Sequence, residues 1–166
     1  MKKDEQKTNA IRFLEQKKID FKIHTYSKEE AISGVEVAEV LGQNPDMVFK
    51  TLVTAGKSGN HYVFMIPVAK ELDLKKAAKV VAEKKLEMIA VSEINGLTGY
   101  IRGGCSPVGM KKVYPTVIDV TAQQLDYFIV SGGKIGLQMK LNPKDLEKVI
   151  TLRFEKVTIE KGDIMC

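Results

Sequence analysis

The chain has 166 residues (18.5 kDa), 44% of them hydrophobic and 28% charged, and carries a formal net charge of +5. At about 150 residues per domain this predicts one domain over 1–166, burying roughly 70% of its unfolded surface without metal or disulfide staples. A near-average globular composition excludes collagen, coiled coil and disorder as the main architecture. The longest nearly apolar run, 62–69, is far short of the ~20 residues that span a bilayer, and the charged start has no apolar segment behind it, so no signal peptide and a cytoplasmic location are expected.

Residues 8–18 read as a helix, since Ala10, Ile11 and Leu14 recur on one face. Residues 19–26 alternate as a half-buried strand, with Ile19, Phe21 and Ile23 on one side and Lys22, His24 and Tyr26 on the other. Ser33-Gly34-Val35-Glu36 has the form of a capping box. The helix behind it carries Val37, Val40 and Leu41 and stops at Gly42, and Asn44-Pro45 forces a turn. Strands at 47–55 and 62–68 form a hairpin about 56–60. Asp73 caps a helix through Ala77, Ala78 and Val81, followed by a short strand at 86–89 and a short helix at 92–97. A glycine-rich stretch, 99–109, leads to a strand at 113–120, after which Thr121-Ala122-Gln123-Gln124 resembles a cap opening one helical turn. Strands at 127–130 and 135–141 form a second hairpin about Ser131-Gly132-Gly133. Asn142-Pro143 opens the last full helix, and 153–159 reads as a closing strand. Hairpins interleaved with helices predict a mixed α/β (α+β) fold whose sheet is mixed or largely antiparallel rather than doubly wound.

Two cysteines, Cys105 and Cys166, make no disulfide framework, and with only His24 and His61 beside them no metal site is expected. The lysine clusters at 75, 76 and 79, at 84–85 and at 111–112 permit contact with a polyanion without naming one. Lys50 is the most informative residue. It lies in the strand Met47-Val48-Phe49-Lys50-Thr51-Leu52-Val53, apolar on both faces, and shares a face with Val48 and Leu52. Lysine is rarely buried without a partner. Either it reaches out at a sheet edge, or its ammonium meets an anion in a cavity.

The run Gly103-Gly104-Cys105-Ser106-Pro107-Val108-Gly109 is neither a Walker loop nor a dinucleotide fingerprint. Its backbone can approach an anion closely, or it is a tight loop between two elements. Ser131-Gly132-Gly133 is first a hairpin turn, with a hydroxyl that can stand beside that loop. Cys105 reads as a small filler, and no Ser-His-Asp order or paired carboxylate marks a classical hydrolase.

Together these residues resemble the YbaK/EbsC family of free-standing aminoacyl-tRNA deacylases. The resemblance rests on His24-Thr25-Tyr26, Phe49-Lys50-Thr51-Leu52, Pro67-Val68 and Glu71-Leu72-Asp73-Leu74-Lys75-Lys76. It continues through Thr98-Gly99-Tyr100, the 103–107 run, Gly109 with Lys111-Lys112, Pro115, Asp119, Val130-Ser131-Gly132-Gly133-Lys134 and Asp145-Leu146. It implies a curved sheet flanked by helices and trans-editing hydrolysis of Cys mischarged on tRNA(Pro), with possible extension to Cys-tRNA(Cys). The substrate's own thiol would attack its ester, without cofactor or metal.

Lys50 would then hold the tRNA 3′ end, and Gly103 and Gly104 would stabilise the oxyanion. Tyr26, Thr51, Cys105, Ser106, Pro107, Ser131, Gly132 and Gly133 would shape the amino-acid pocket, and Lys111 and Lys112 would meet the acceptor stem. The implied partners are aminoacylated tRNA and prolyl-tRNA synthetase, with no membrane. Three positions depart from the family's pattern: Ile135, where arginine is common, Gln138, where an acid is common, and Cys105, where a small apolar residue is usual. The alternatives are a non-catalytic adaptor for tRNA ends or a synthetase, or a deacylase for Ala- or Ser-tRNA.

Overall fold

The computed structural model describes residues 7–27 and 34–160. Helix α1 (Asn9–Gln16) starts where the Thr8 side chain accepts the Ile11 amide, and it buries Ala10, Ile11 and Leu14. Strand β1 (Lys22–Thr25) follows, then α2 (Gly34–Val40), which ends at Gly42 in a left-handed conformation (φ +66°). A 3-10 turn over Pro45–Met47, capped by Asn44, leads into the hairpin β2 (Phe49–Gly56) and β3 (His61–Pro67). Asp73 accepts the amides of Lys75 and Lys76 to open α3 (Leu74–Val80). Next come β4 (Leu86–Met88), α4 (Val91–Thr98), β5 (Thr116–Asp119) and a 3-10 helix over Val120–Gln124. The chain continues with β6 (Phe128–Ser131), β7 (Leu137–Leu141), α5 (Pro143–Glu147) and β8 (Leu152–Glu155).

Two sheets result. The larger has the order β4-β2-β3-β5-β8. In it β2 runs antiparallel to β3 and β4, whereas β5 is parallel to both β3 and β8. The smaller, β1-β7-β6, is antiparallel throughout. A parallel bridge between Val48 and Ile129 joins them. The architecture is the mixed α/β one expected, with the sheet divided in two at a seam along β2.

The main core lies between the sheets and α1, where the Phe49 and Phe128 rings meet edge to face at 5.3 Å. Truncating either ring costs about 3–5 kcal/mol by the usual core scale. A second cluster packs α3 onto the other face of the large sheet through Phe64, Ile66, Ala77 and Val117. A third seats α2 on the seam, with Ala38 against Val48, Val68 and Ile129.

Several expected boundaries shift for local reasons. β1 is shorter than expected and does not keep the predicted burial alternation: Ile23 is 41% exposed while His24 is half-buried, because β1 is the outer strand of its sheet. Asp119, not Thr121, caps the 3-10 helix: its carboxylate accepts both the amide and the hydroxyl of Thr121. β5 starts only after Pro115, a residue without an N–H to give a ladder. β8 ends at Glu155, and the later residue Thr158 instead bridges Leu72. The last helix is a single short turn-and-a-half. Ser33 of the expected capping box lies outside the described residues.

Candidate active site

The register of the strands builds a polar row. His24 stands opposite Gln138 across β1 and β7, and Gln138 stands opposite Ser131 across β7 and β6. Two residues beyond the Val48–Ile129 bridge along each parallel chain, Lys50 and Ser131 project to the same side. Lys50, Ser131, Gln138 and His24 thus come from four successive strands. At the usual ~4.8 Å between strands the row is about 14 Å long. Leu137, Met139, Phe128 and Val130, the alternating neighbours, enter the main core instead. That alternation is why a polar row can sit on a well-packed sheet.

Lys50 is half-buried, and burial pushes its ammonium below the ordinary lysine value while Glu71 partly offsets the shift. Its neighbour Thr51 projects to the opposite face, beside Phe49 and Val53, and its Oγ1 is buried with no hydrogen-bond partner. Two adjacent residues can border one opening here because of the seam. On the side away from β3, β2 meets the small sheet only at Val48 and β4 only from Thr54 onward. Lys50 and Thr51 flank the gap from above and below.

The glycine-rich loop reaches the same place. A Cβ on Gly104 would lie 2.8 Å from Lys134 Cα and 2.9 Å from its carbonyl carbon, so the loop packs backbone to backbone on the turn after β6. Gly133 is in a left-handed conformation (φ +106°), with the Thr8 side chain 2.9 Å from where its Cβ would be. The Thr8 hydroxyl donates to the Gly132 carbonyl, and the Gly133 amide donates to Ser131 Oγ at 3.1 Å. Tyr26 donates its amide to Gly136 at 3.0 Å, which holds the end of β1 against this turn.

Within the loop, Gly103 is exposed, while Gly104, Cys105, Ser106 and Pro107 are buried. The Gly104 amide is spent on the Ile101 carbonyl at 2.9 Å, and Pro107 has no amide hydrogen. Ser106 is fully buried and its Oγ accepts the Val108 amide. Burial pushes the Cys105 thiol up to about 11, against a smaller opposing pull from Thr98, which leaves it protonated at neutral pH. Lys111 and Lys112 are exposed beyond the loop, with the stem of Lys111 lying along Gly99.

Sequence reasoning missed two residues. Thr8 ties α1 to the 131–133 turn, and Gln43 hydrogen-bonds Gln138 at 2.8 Å. Neither contact, both over ninety residues apart in sequence, leaves a local signal. Two open surface hollows of about 600 and 550 Å³ lie elsewhere, one beside Asn9, Arg12 and Gly109, the other beside Gln123, Lys144 and Phe154, and neither includes a residue of the row. Among the described residues no three His, Cys, Asp or Glu side chains gather to hold a metal ion.

The pattern of the aminoacyl-tRNA editing domain matches residues 28–149. The chain belongs to that family. Among editing-domain proteins it is 44% identical, over 96% of its length and 98% of the relative's, to a protein of Enterococcus faecalis (strain ATCC 700802 / V583) named "Putative Cys-tRNA(Pro)/Cys-tRNA(Cys) deacylase EbsC". It is 31% identical over 105 residues to the proline–tRNA ligase of Kosmotoga olearia (strain ATCC BAA-1733 / DSM 21960 / TBF 19.5.1), covering 63% of this chain and 18% of that longer enzyme. Its fold is that of a solved structure described as "a putative trans-editing enzyme for prolyl tRNA synthetase" (TM-score 0.81, 24% identity, 93% of this chain and 99% of that one). A second solved structure, of a hypothetical protein, has a TM-score of 0.82 at 19% identity, covering 92% of this chain and all of the other. No helix of the described residues is long and apolar enough to cross a membrane.

Proposed function

We propose that this editing domain hydrolyses cysteine from mischarged tRNA(Pro), in trans to prolyl-tRNA synthetase and in the cytoplasm, with Cys-tRNA(Cys) as a further substrate. The observation that carries this reading is the row from Lys50 to His24, bordered by the 103–107 loop. It offers one cation, two small polar groups and closely approaching backbone along the length of an aminoacyl-adenosine. Lys50 supplies the positive end, meeting a phosphate or hydroxyl of the 3′-terminal nucleotide. The aminoacyl group then lies over Ser131 and Gln138, between Tyr26 and the 103–107 loop.

The substrate provides the nucleophile. Its thiol sulfur bonds to the ester carbonyl carbon as the carbon–oxygen bond to the ribose breaks, and the thiol proton ends on the ribose oxygen. The released thiolactone takes up water to give free cysteine. The protein's share is orientation and stabilisation of the carbonyl oxygen as it gains charge, where one well-placed donor is worth roughly 3–4 kcal/mol. Within the loop the amides of Gly103, Cys105 and Ser106 make no hydrogen bond among the described residues, so they are the donors the loop can give. Discrimination rests on the thiol itself, since pocket size separates one methylene by only ~1–3 kcal/mol.

The test is release of radiolabelled cysteine from Cys-tRNA(Pro) beside Ala-tRNA(Pro), repeated with Lys50→Ala. The expected result is rapid loss of cysteine alone, abolished by the substitution. Release of alanine at an equal rate would overturn thiol dependence, and no release from either would leave a tRNA-end adaptor.

A further inference from the structure

Gln138 is the most buried polar member of the row, at 6% exposure. Gln43 Nε2 donates to its Oε1 at 2.8 Å, and Gln138 Nε2 donates back at a longer 3.4 Å. Gln43 is itself held, because its backbone amide donates to the Ala38 carbonyl at 2.8 Å just after the left-handed Gly42. The pair therefore ties the end of α2, which rides on the seam through Ala38, to the floor of the small sheet.

A primary amide carries two N–H donors and an oxygen acceptor. The pair uses one donor of Gln138 and its oxygen. Among the described residues nothing else bonds this side chain, and a buried N–H left unmade is unfavourable. The shorter bond sets the Oε1 end nearest Gln43 and the Nε2 end further out, and so leaves the second N–H without a partner among the described residues, on the strand face shared with Ser131 and His24. The neighbouring loop offers the Gly103, Cys105 and Ser106 amides, the Gly104 amide being spent and Pro107 lacking one.

We infer that Gln43 is a positioning residue that orients Gln138, and that the uncommitted Gln138 N–H donates to the ester carbonyl oxygen of the bound aminoacyl group. This rests on the deacylase reading and assigns one further donor to it. A family position commonly acidic is thus filled here by a neutral donor, and Gln43 decides which of its ends meets the substrate.

Gln43→Lys and Gln43→Glu separate orientation from mere attachment, since each keeps one hydrogen bond to Gln138. A lysine donates to Oε1 and preserves the present orientation. A glutamate accepts from Nε2, turns the amide over and presents oxygen to the row. With Cys-tRNA(Pro), Gln43→Lys should stay within about threefold of the unsubstituted protein. Gln43→Glu and Gln138→Glu should each lower kcat by roughly tenfold or more with little change in KM. Thermal midpoints should stay within a few degrees throughout. Equal kcat for the two Gln43 variants, in an otherwise active protein, would overturn the inference alone. Absence of cysteine release by the unsubstituted protein would overturn the deacylase reading and this inference together.

Discussion

Lys50 works against the fold that holds it. Burial lowers the affinity of its amine for a proton below the ordinary value of 10.5. Between its folded and unfolded values the native chain therefore binds fewer protons than the unfolded one, so stability rises with pH through that window. Below it, the charge at Lys50 opposes folding. Lys50→Met should raise the thermal midpoint at pH 7 by a few degrees while abolishing turnover, and the gain should shrink at alkaline pH. Calorimetry across pH checks this, and a midpoint that falls at pH 7 would show that Glu71 compensates the burial fully. Turnover should also decline as the ammonium loses its proton on the approach to 10.5. Cys105 makes the opposite case. With its thiol pushed up to about 11 and its side chain in the main core, it has no thiolate to offer at neutral pH. Cys105→Ala should keep kcat within about twofold, measured on Cys-tRNA(Pro), with at most a modest loss of stability from the small cavity.

At the scale of elements, the site depends on two loops touching through backbone. Gly104→Ala would place a methyl 2.8 Å from Lys134 Cα, where only movement of the main chain makes room. A stability loss of about 1–3 kcal/mol and a fall of at least tenfold in kcat are expected, from denaturation and turnover measured on one sample. Gly56→Ala serves as its control. The atoms nearest its methyl would be the carboxylate end of Glu83, a group that accepts hydrogen bonds from Ser58 and Tyr62 at 2.5 and 2.6 Å. That contact can yield by rotating a side chain, so about 1 kcal/mol should be lost with turnover unchanged. Most elements could be read from local chemistry: Asp73 and Asn142 each cap where their neighbours said they would, and Asn44, expected only to force a turn, caps a 3-10 helix. The hairpin residues 131–133 declared their turn but not the Thr8 contact that braces it, because a hydroxyl meeting a backbone carbonyl 124 residues away leaves no period to read.

For the whole molecule, the sequence announced hairpins and helices but not the seam. Val48 and Ile129 each look like ordinary apolar strand residues, and nothing in either says that they pair in parallel while β2 turns away to β4. Lys50 was legible because a lysine in an apolar strand violates a burial rule. Gln138 was noticed only as a departure from its family, since burial and partner are properties of the folded chain. For the exposed Lys111 and Lys112 we propose long-range attraction of tRNA rather than a place in the row. Replacing each with Gln should weaken tRNA binding evenly across tRNA sequences and take roughly one unit from the slope of log K against log salt. An unchanged slope would move the acceptor stem to another face.

The row also has a history in time. Lys50 leaves the ribosome early, in a hairpin that can close on local contacts, but Ser131 and Gln138 follow some eighty residues later, and only then can β6 dock at Val48 and β7 give β1 a partner. A nascent chain halted before β7 holds helices and a hairpin and has no floor for a substrate. A protein that corrects errors of translation thus gains the means to do so only once β7 has been made.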